Sequence, residues 1–201
     1  MKKGLKPREL TLLGLLTALL IVMSCTPLGY LNIGPLAITF NVIPVAIAAI
    51  ALGPVGGAII GAVFGITSFL QAMGIGGAST MGIITFEISP FLTFIQRFVT
   101  RVLVGLLTGL IYTGLRKTPL KKASIFIAGF CAAFLNTLLF TGALFLLFGR
   151  TEYVQGLMAG RSVIVTLCTL VGINAVVEML ASTLISGVLG KGLQAAKMIG
   201  R

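Results

Sequence analysis

The chain alternates long apolar runs with short polar or glycine-proline breaks, and the runs have the length of membrane-crossing helices. A hydrocarbon core of about 30 Å takes about 20 helical residues to cross. Apolar segments of that order lie over residues 9–26, 37–52, 54–72, 88–115, 123–148 and 162–189. The first ends before Pro27-Leu28-Gly29, and Gly53-Pro54 turns the second tightly into the third, so those two are expected as an antiparallel pair. Residues 73–87 carry Gly74, Gly76, Gly77 and Gly82 beside Ser79 and Thr80 and are expected as a long loop. The runs lack the short alternation of a membrane barrel, and in hydrocarbon every backbone polar group must be paired internally, so the spans are helical. The expected fold is all-α: one domain over residues 1–201, a compact bundle of six transmembrane helices.

Composition agrees with a lipid solvent, with 57% hydrophobic and 9% charged residues and a mean hydropathy of +1.13. The net charge of +11 is not a nucleic-acid footprint, because the basic residues form short clusters between apolar runs rather than a patch among aromatics. Their placement reports orientation instead. Lys2, Lys3, Lys6 and Arg8 precede the first run. Arg116, Lys117, Lys121 and Lys122 separate the fourth from the fifth, and Lys191, Lys197 and Arg201 follow the sixth. Six spans put these three clusters on one side, against Arg150 and Arg161 on the other. Cytoplasmic flanks are enriched in Lys and Arg, so both termini are expected in the cytoplasm. The basic stretch Met1 to Glu9 leads into the first run without a convincing small-residue cleavage site, so that run is expected as a retained helix.

Catalytic chemistry finds little to stand on. Without histidine there is no Ser-His dyad and no histidine-ligated metal, and the chain has no aspartate for a paired-aspartate site. Cys25, Cys131 and Cys168 lie in or beside apolar stretches without CxxC spacing and are expected to pack structurally. No metal and no cofactor is expected. Gly190-Lys191 lacks both the upstream glycine and the following Ser or Thr of a phosphate-binding loop, so the chain has no ATPase motor of its own. The sequence points away from an enzyme.

Polar groups inside a membrane are costly and face the bundle interior or a cavity. The fourth run carries Gln96, Arg97 and Arg101, the fifth Asn136, and the sixth Asn174 and Glu178. Arg97 and Arg101 are four residues apart and share a helix face. At 1.5 Å per residue Arg97 lies roughly 13 Å below the outer end, while Arg101 and Glu178 lie near mid-membrane. Arg101 with Glu178 reads as a structural ion pair between two helices, and Arg97 is left to meet an anionic ligand. Pairing of Glu178 with Arg97, or a structural role for both arginines, is the alternative. Asn32, Asn41, Gln71 and Tyr153 add polar groups toward the outer side, with Tyr30, Phe40 and Phe86 as apolar walls. Gly57, Gly61 and Gly65 recur at helical spacing and suit close helix packing, within the bundle or against another subunit. Gly14 and Ala18 form a shorter stripe on the first helix.

The stretch from Leu28 to Pro35, then Thr39 to Pro44, Ala51 to Ala58 and Gly61 to Ser68, resembles the substrate-binding S components of energy-coupling factor (ECF) vitamin transporters. The resemblance implies a high-affinity vitamin receptor within an ABC-type importer of the bacterial cytoplasmic membrane. Its partners would be a transmembrane coupling component and two cytoplasmic ATPases, which fits the missing motor. The resemblance also implies a pocket toward the outer side, where Arg97, Asn136 and Asn174 fall, and docking through the small residues Gly14 and Ala18; Val22 departs from that stripe. Likeness is closest to pantothenate-type members, and a carboxylate with hydroxyl and amide groups suits one arginine plus asparagines. Riboflavin, folate and pyridoxine-type vitamins are the other candidates, and a membrane assembly subunit that binds no small molecule is the reading from a different class.

Overall fold

The computed structural model describes residues 6–26, 29–31, 38–77, 79–160 and 162–196. Helix α1 (Pro7–Ser24) begins with proline, whose fixed φ and missing N–H suit a first turn. Glu9 reaches back to accept the Lys6 backbone N–H at 2.9 Å. Leu12, Leu13, Leu16 and Leu20 face inward, whereas Gly14, Leu15, Ala18, Leu19 and Val22 are exposed. A short antiparallel hairpin follows, β1 (Tyr30–Leu31) and β2 (Ile38–Thr39), with Tyr30 opposite Thr39. The helix expected from residue 37 therefore starts only at Val42, because residues 38–39 form the strand.

Helix α2 (Val42–Ala72) consists of two helical halves that meet at a kink. Gly53 has φ 75° and ψ −164°, and Pro54 follows it. A β-carbon built on Gly57 would lie 2.9 Å from the β-carbon of Ala49. Residues eight apart in a straight helix are about 12 Å apart along the axis, so the chain doubles back at Gly53-Pro54, the turn the breakers predict.

The expected loop over 73–87 is a correction. Its second half is helix α3 (Thr80–Ile88), started by Ser79, whose hydroxyl accepts the Gly82 N–H at 3.2 Å. Glycine and polar content hid a helix that is held by its cap and by burial of Met81 and Thr85. Next come α4 (Pro90–Phe94), a π-helical turn over Ile95–Val99 and α5 (Thr100–Leu115), which run on as one stretch. A 3₁₀ turn (Pro119–Lys122) leads to α6 (Ser124–Phe148), then α7 (Glu152–Met158) and α8 (Val163–Ala195). Five helical stretches among the described residues are long and apolar enough to cross a membrane: Pro7–Ser24, Val42–Ala72, Pro90–Leu115, Ser124–Phe148 and Asn174–Ala195.

The glycines of α2 pack within the molecule. Built β-carbons on Gly57 and Gly61 would run into the backbone of Gly105 and Arg101, and one on Gly65 would lie 2.8 Å from the Phe98 α-carbon. On the partner helix, one on Gly109 would lie 2.5 Å from the Pro54 α-carbon. The second half of α2 thus lies antiparallel against α5 with backbones nearly touching, as small residues allow in lipid. A second seam joins α6 to α8, where Ser182 donates to the Gly129 carbonyl at 2.8 Å.

Candidate functional site

The two seams converge on the buried charges. The register that sets Gly61 against Arg101 and Gly65 against Phe98 brings Ser68 to Arg97 one turn further on. Arg97 Nη1 donates to the Ser68 carbonyl and to the Ser68 hydroxyl, both at 2.9 Å, and Nη2 to the Ser79 hydroxyl at 3.3 Å. One guanidinium therefore ties α2 to the start of α3. Gly82 makes room for it: a built β-carbon there would lie 2.6 Å from Arg97 Nη2.

Arg101 is held differently. Its guanidinium lies over the Phe64 ring at 4.5 Å and the Phe140 ring at 4.4 Å from the centroids, a pair of cation-π contacts in a desolvated place. Its Nη1 donates to Asn136 Oδ1. Asn136 Nδ2 donates in turn to Glu178 Oε2 at 3.4 Å, and the Thr39 backbone N–H donates to Glu178 Oε1 at 2.7 Å. The expected pairing of Arg101 with Glu178 is thus routed through the Asn136 amide rather than made directly. Glu178 also fastens the hairpin to α8. Among the described residues Arg97 donates to serines and not to Glu178.

Several buried polar groups at or near this cluster have no hydrogen-bond partner among the described residues: both amide atoms of Gln96 and of Asn41, the Tyr30 hydroxyl, and Nε of Arg97 and of Arg101. Buried polar atoms in folded proteins are nearly always satisfied, so each such group marks unmet hydrogen-bonding capacity. Gln96 and Arg97 both fall on the π turn, a widened stretch of helix that recurs at functional sites. The set offers cationic and amide donors with amide acceptors beside two phenyl faces, which suits a small polar anion with an apolar body.

Other expected residues lie apart from this cluster. Gln71 donates to the Ser24 carbonyl at 2.7 Å, joining α2 to the end of α1. Tyr153 packs beside Met81, Leu144, Phe148 and Val154, and burial pushes its phenol above the ordinary range, so it is a neutral hydroxyl. Asn174 is half-buried on α8. Asn32 lies outside the described residues. Ser68, Ser79 and Thr39 were missed by sequence reasoning, and Tyr30 entered it only as an apolar wall. Ser68 sits one turn beyond Gly65 on the close-packed stripe, which is the signal that points to it.

The chain is 29% identical, over 160 residues, to the pantothenic acid transporter PanT of Lactococcus lactis subsp. cremoris (strain MG1363), a match covering 75% of this chain and 79% of that protein. It also matches the family "ECF transporter, substrate-specific component" over residues 8–190. With several apolar helices around a buried polar cluster, and with nearly its whole length inside that match, the chain is a multi-pass membrane transport protein, not an enzyme, and belongs to the substrate-specific components of ECF transporters.

Proposed function

We propose that this chain captures pantothenate from outside the cell as the substrate-specific subunit of an ECF-type importer in the bacterial cytoplasmic membrane. The observation that carries the reading is Arg97, buried and bonded among the described residues to two serines and no carboxylate, with Nε unpartnered on the same π turn as the unsatisfied Gln96 amide. A ligand carboxylate would supply the missing anion, and the hydroxyl and amide groups of pantothenate would use Gln96, Asn41 and the Tyr30 hydroxyl. Asn136 holds Arg101, and Gln71, Tyr153 and Asn174 are assigned to the wider set toward the outer side. The name of the L. lactis relative supports the choice of vitamin.

The polypeptide crosses the membrane six times with both termini in the cytoplasm, a topology supported by the reversal at Gly53 and the one-sided basic clusters. Import is energised by a coupling protein and two ATPases, and the coupling protein docks on the exposed Gly14 and Ala18 face of α1. Native mass spectrometry of gently purified protein, followed by calorimetric titration of the emptied protein, tests the receptor role. Pantothenate retained or rebound at submicromolar affinity is expected. Binding of riboflavin, folate or a pyridoxine-type vitamin instead would reassign the substrate, and emptiness across the panel would favour an assembly role.

A further inference from the structure

On the reading of this cluster as a carboxylate receptor, we infer that Glu178 is the specificity-determining residue for ligand charge: it leaves the site with one positive charge in excess and so selects monoanions. The whole chain has four acidic residues. Glu9 is engaged at the start of α1, while Glu87 and Glu152 are exposed. Glu178 is therefore the one carboxylate among the described residues that is buried with Arg97 and Arg101. Two guanidinium groups and one carboxylate leave a single uncompensated charge where water does not screen it. A ligand with one negative charge balances the site. A neutral ligand leaves the cation unpaired, and a dianion leaves an anion in excess; each imbalance is costly at low effective dielectric.

The placement of Glu178 makes it a counter-charge rather than a ligand contact. Oε1 is taken by the Thr39 N–H and Oε2 by the Asn136 amide, whose oxygen is committed to Arg101. The carboxylate is thereby held by the hairpin and by the amide that meets Arg101, and it acts on the ligand through charge. Glu178→Gln keeps an oxygen for the Thr39 N–H and nearly the same volume, while removing the charge. Loss of the long bond from Asn136 weakens all ligands alike, so the ratio of affinities isolates charge from structure.

The test uses three compounds that differ only at one end of pantothenate: the carboxylate, the neutral primary alcohol, and the phosphate monoester of that alcohol. Calorimetry on the full-length detergent-purified chain measures each affinity. Wild type is expected to bind the carboxylate about tenfold or more tighter than either of the others, the effect of one unit charge at intermediate dielectric. Glu178→Gln is expected to raise the phosphate-to-carboxylate affinity ratio about tenfold, and Glu178→Asp to leave it near the wild-type value. An unmoved ratio in Glu178→Gln overturns the inference while the carboxylate still binds. So does a wild-type protein that binds the phosphate monoester as tightly as the carboxylate, a result that needs no variant to fold. Wild type that binds none of the three sinks the pantothenate reading, and this inference with it.

Discussion

A guanidinium in a membrane interior needs partners for its charge and its N–H groups, and the two buried arginines find them in different ways. Arg101 is enclosed by two phenyl rings and tied through Asn136 to Glu178. Arg97 rests on neutral serine oxygens. Under the proposed function, Arg97→Ala should weaken pantothenate binding by about 2–5 kcal/mol, because the buried carboxylate loses its charged partner. Arg97→Lys should restore only part of this, since a point charge cannot reproduce the planar fork. Arg101→Ala should act mainly on the fold: stranding Asn136 and Glu178 costs about 3–5 kcal/mol and lowers the thermal midpoint. Calorimetry on the folded fraction beside thermal unfolding reads both, and Arg97→Ala that binds like wild type would remove the carboxylate clamp. The arginines were legible in sequence because a charge stands out in an apolar run. The amide bridge was not, because helical spacing places residues on faces of one helix without fixing which atoms of three helices meet. Serine contacts were equally hidden, since a serine in a membrane helix is commonplace and its role depends on the neighbour that reaches it.

At the scale of elements, glycines decide where the arginines sit. The seam of Gly57, Gly61 and Gly65 lets α5 approach α2 closely enough for Arg97 to reach the Ser68 carbonyl, and Gly82 leaves the guanidinium its space on the α3 side. Gly82→Ala would put a methyl carbon within about 3 Å of Nη2, so Arg97 must swing away or α3 must shift. The expected result is at least a tenfold loss of ligand affinity, about 1.4 kcal/mol, with a thermal midpoint near wild type, measured by calorimetry and thermal shift on the same preparation. Gly65→Val would instead force apart the seam itself and should cost about 1–3 kcal/mol of stability or more by overpacking. The long apolar helices and the Gly53-Pro54 turn were readable because hydrophobic length and breakers are local signals. Helix α3 and the hairpin were not: α3 is short, glycine-bearing and stabilised by Ser79 and by packing, and each strand of the hairpin is only two residues long, the second lying at the start of an apolar run that is otherwise helical. The π turn over Ile95–Val99 leaves no mark in composition, since it is one register slip within an otherwise regular helix.

At the scale of the whole molecule, the face of α1 that turns away from the bundle carries the proposal about partners. Leu10, Leu15, Leu19, Ile21 and Val22 are exposed large apolar residues, which lipid accommodates, but the small residues among them create a shallow track along which another helix can approach closely. Gly14 has no heavy atom within 4 Å of a built β-carbon, and Ala18 is exposed. Neither position is packed against the described residues, so a large side chain there should leave folding and ligand affinity intact. Against a docked helix the same side chain must clash. Gly14→Trp and Ala18→Trp are therefore expected to reduce co-purification with the coupling protein at least severalfold and to abolish vitamin uptake by cells, while calorimetry on the isolated subunit gives the wild-type affinity. Cysteine labelling fixes the frame for that experiment. A probe at Gly77 or Gln155 should react from outside and one at Thr118 should not, because Thr118 lies among the basic residues between α5 and α6. If Gly14→Trp assembles normally yet fails to bind the vitamin, α1 belongs to the pocket rather than to the docking face, and the partner must approach from another side of the bundle.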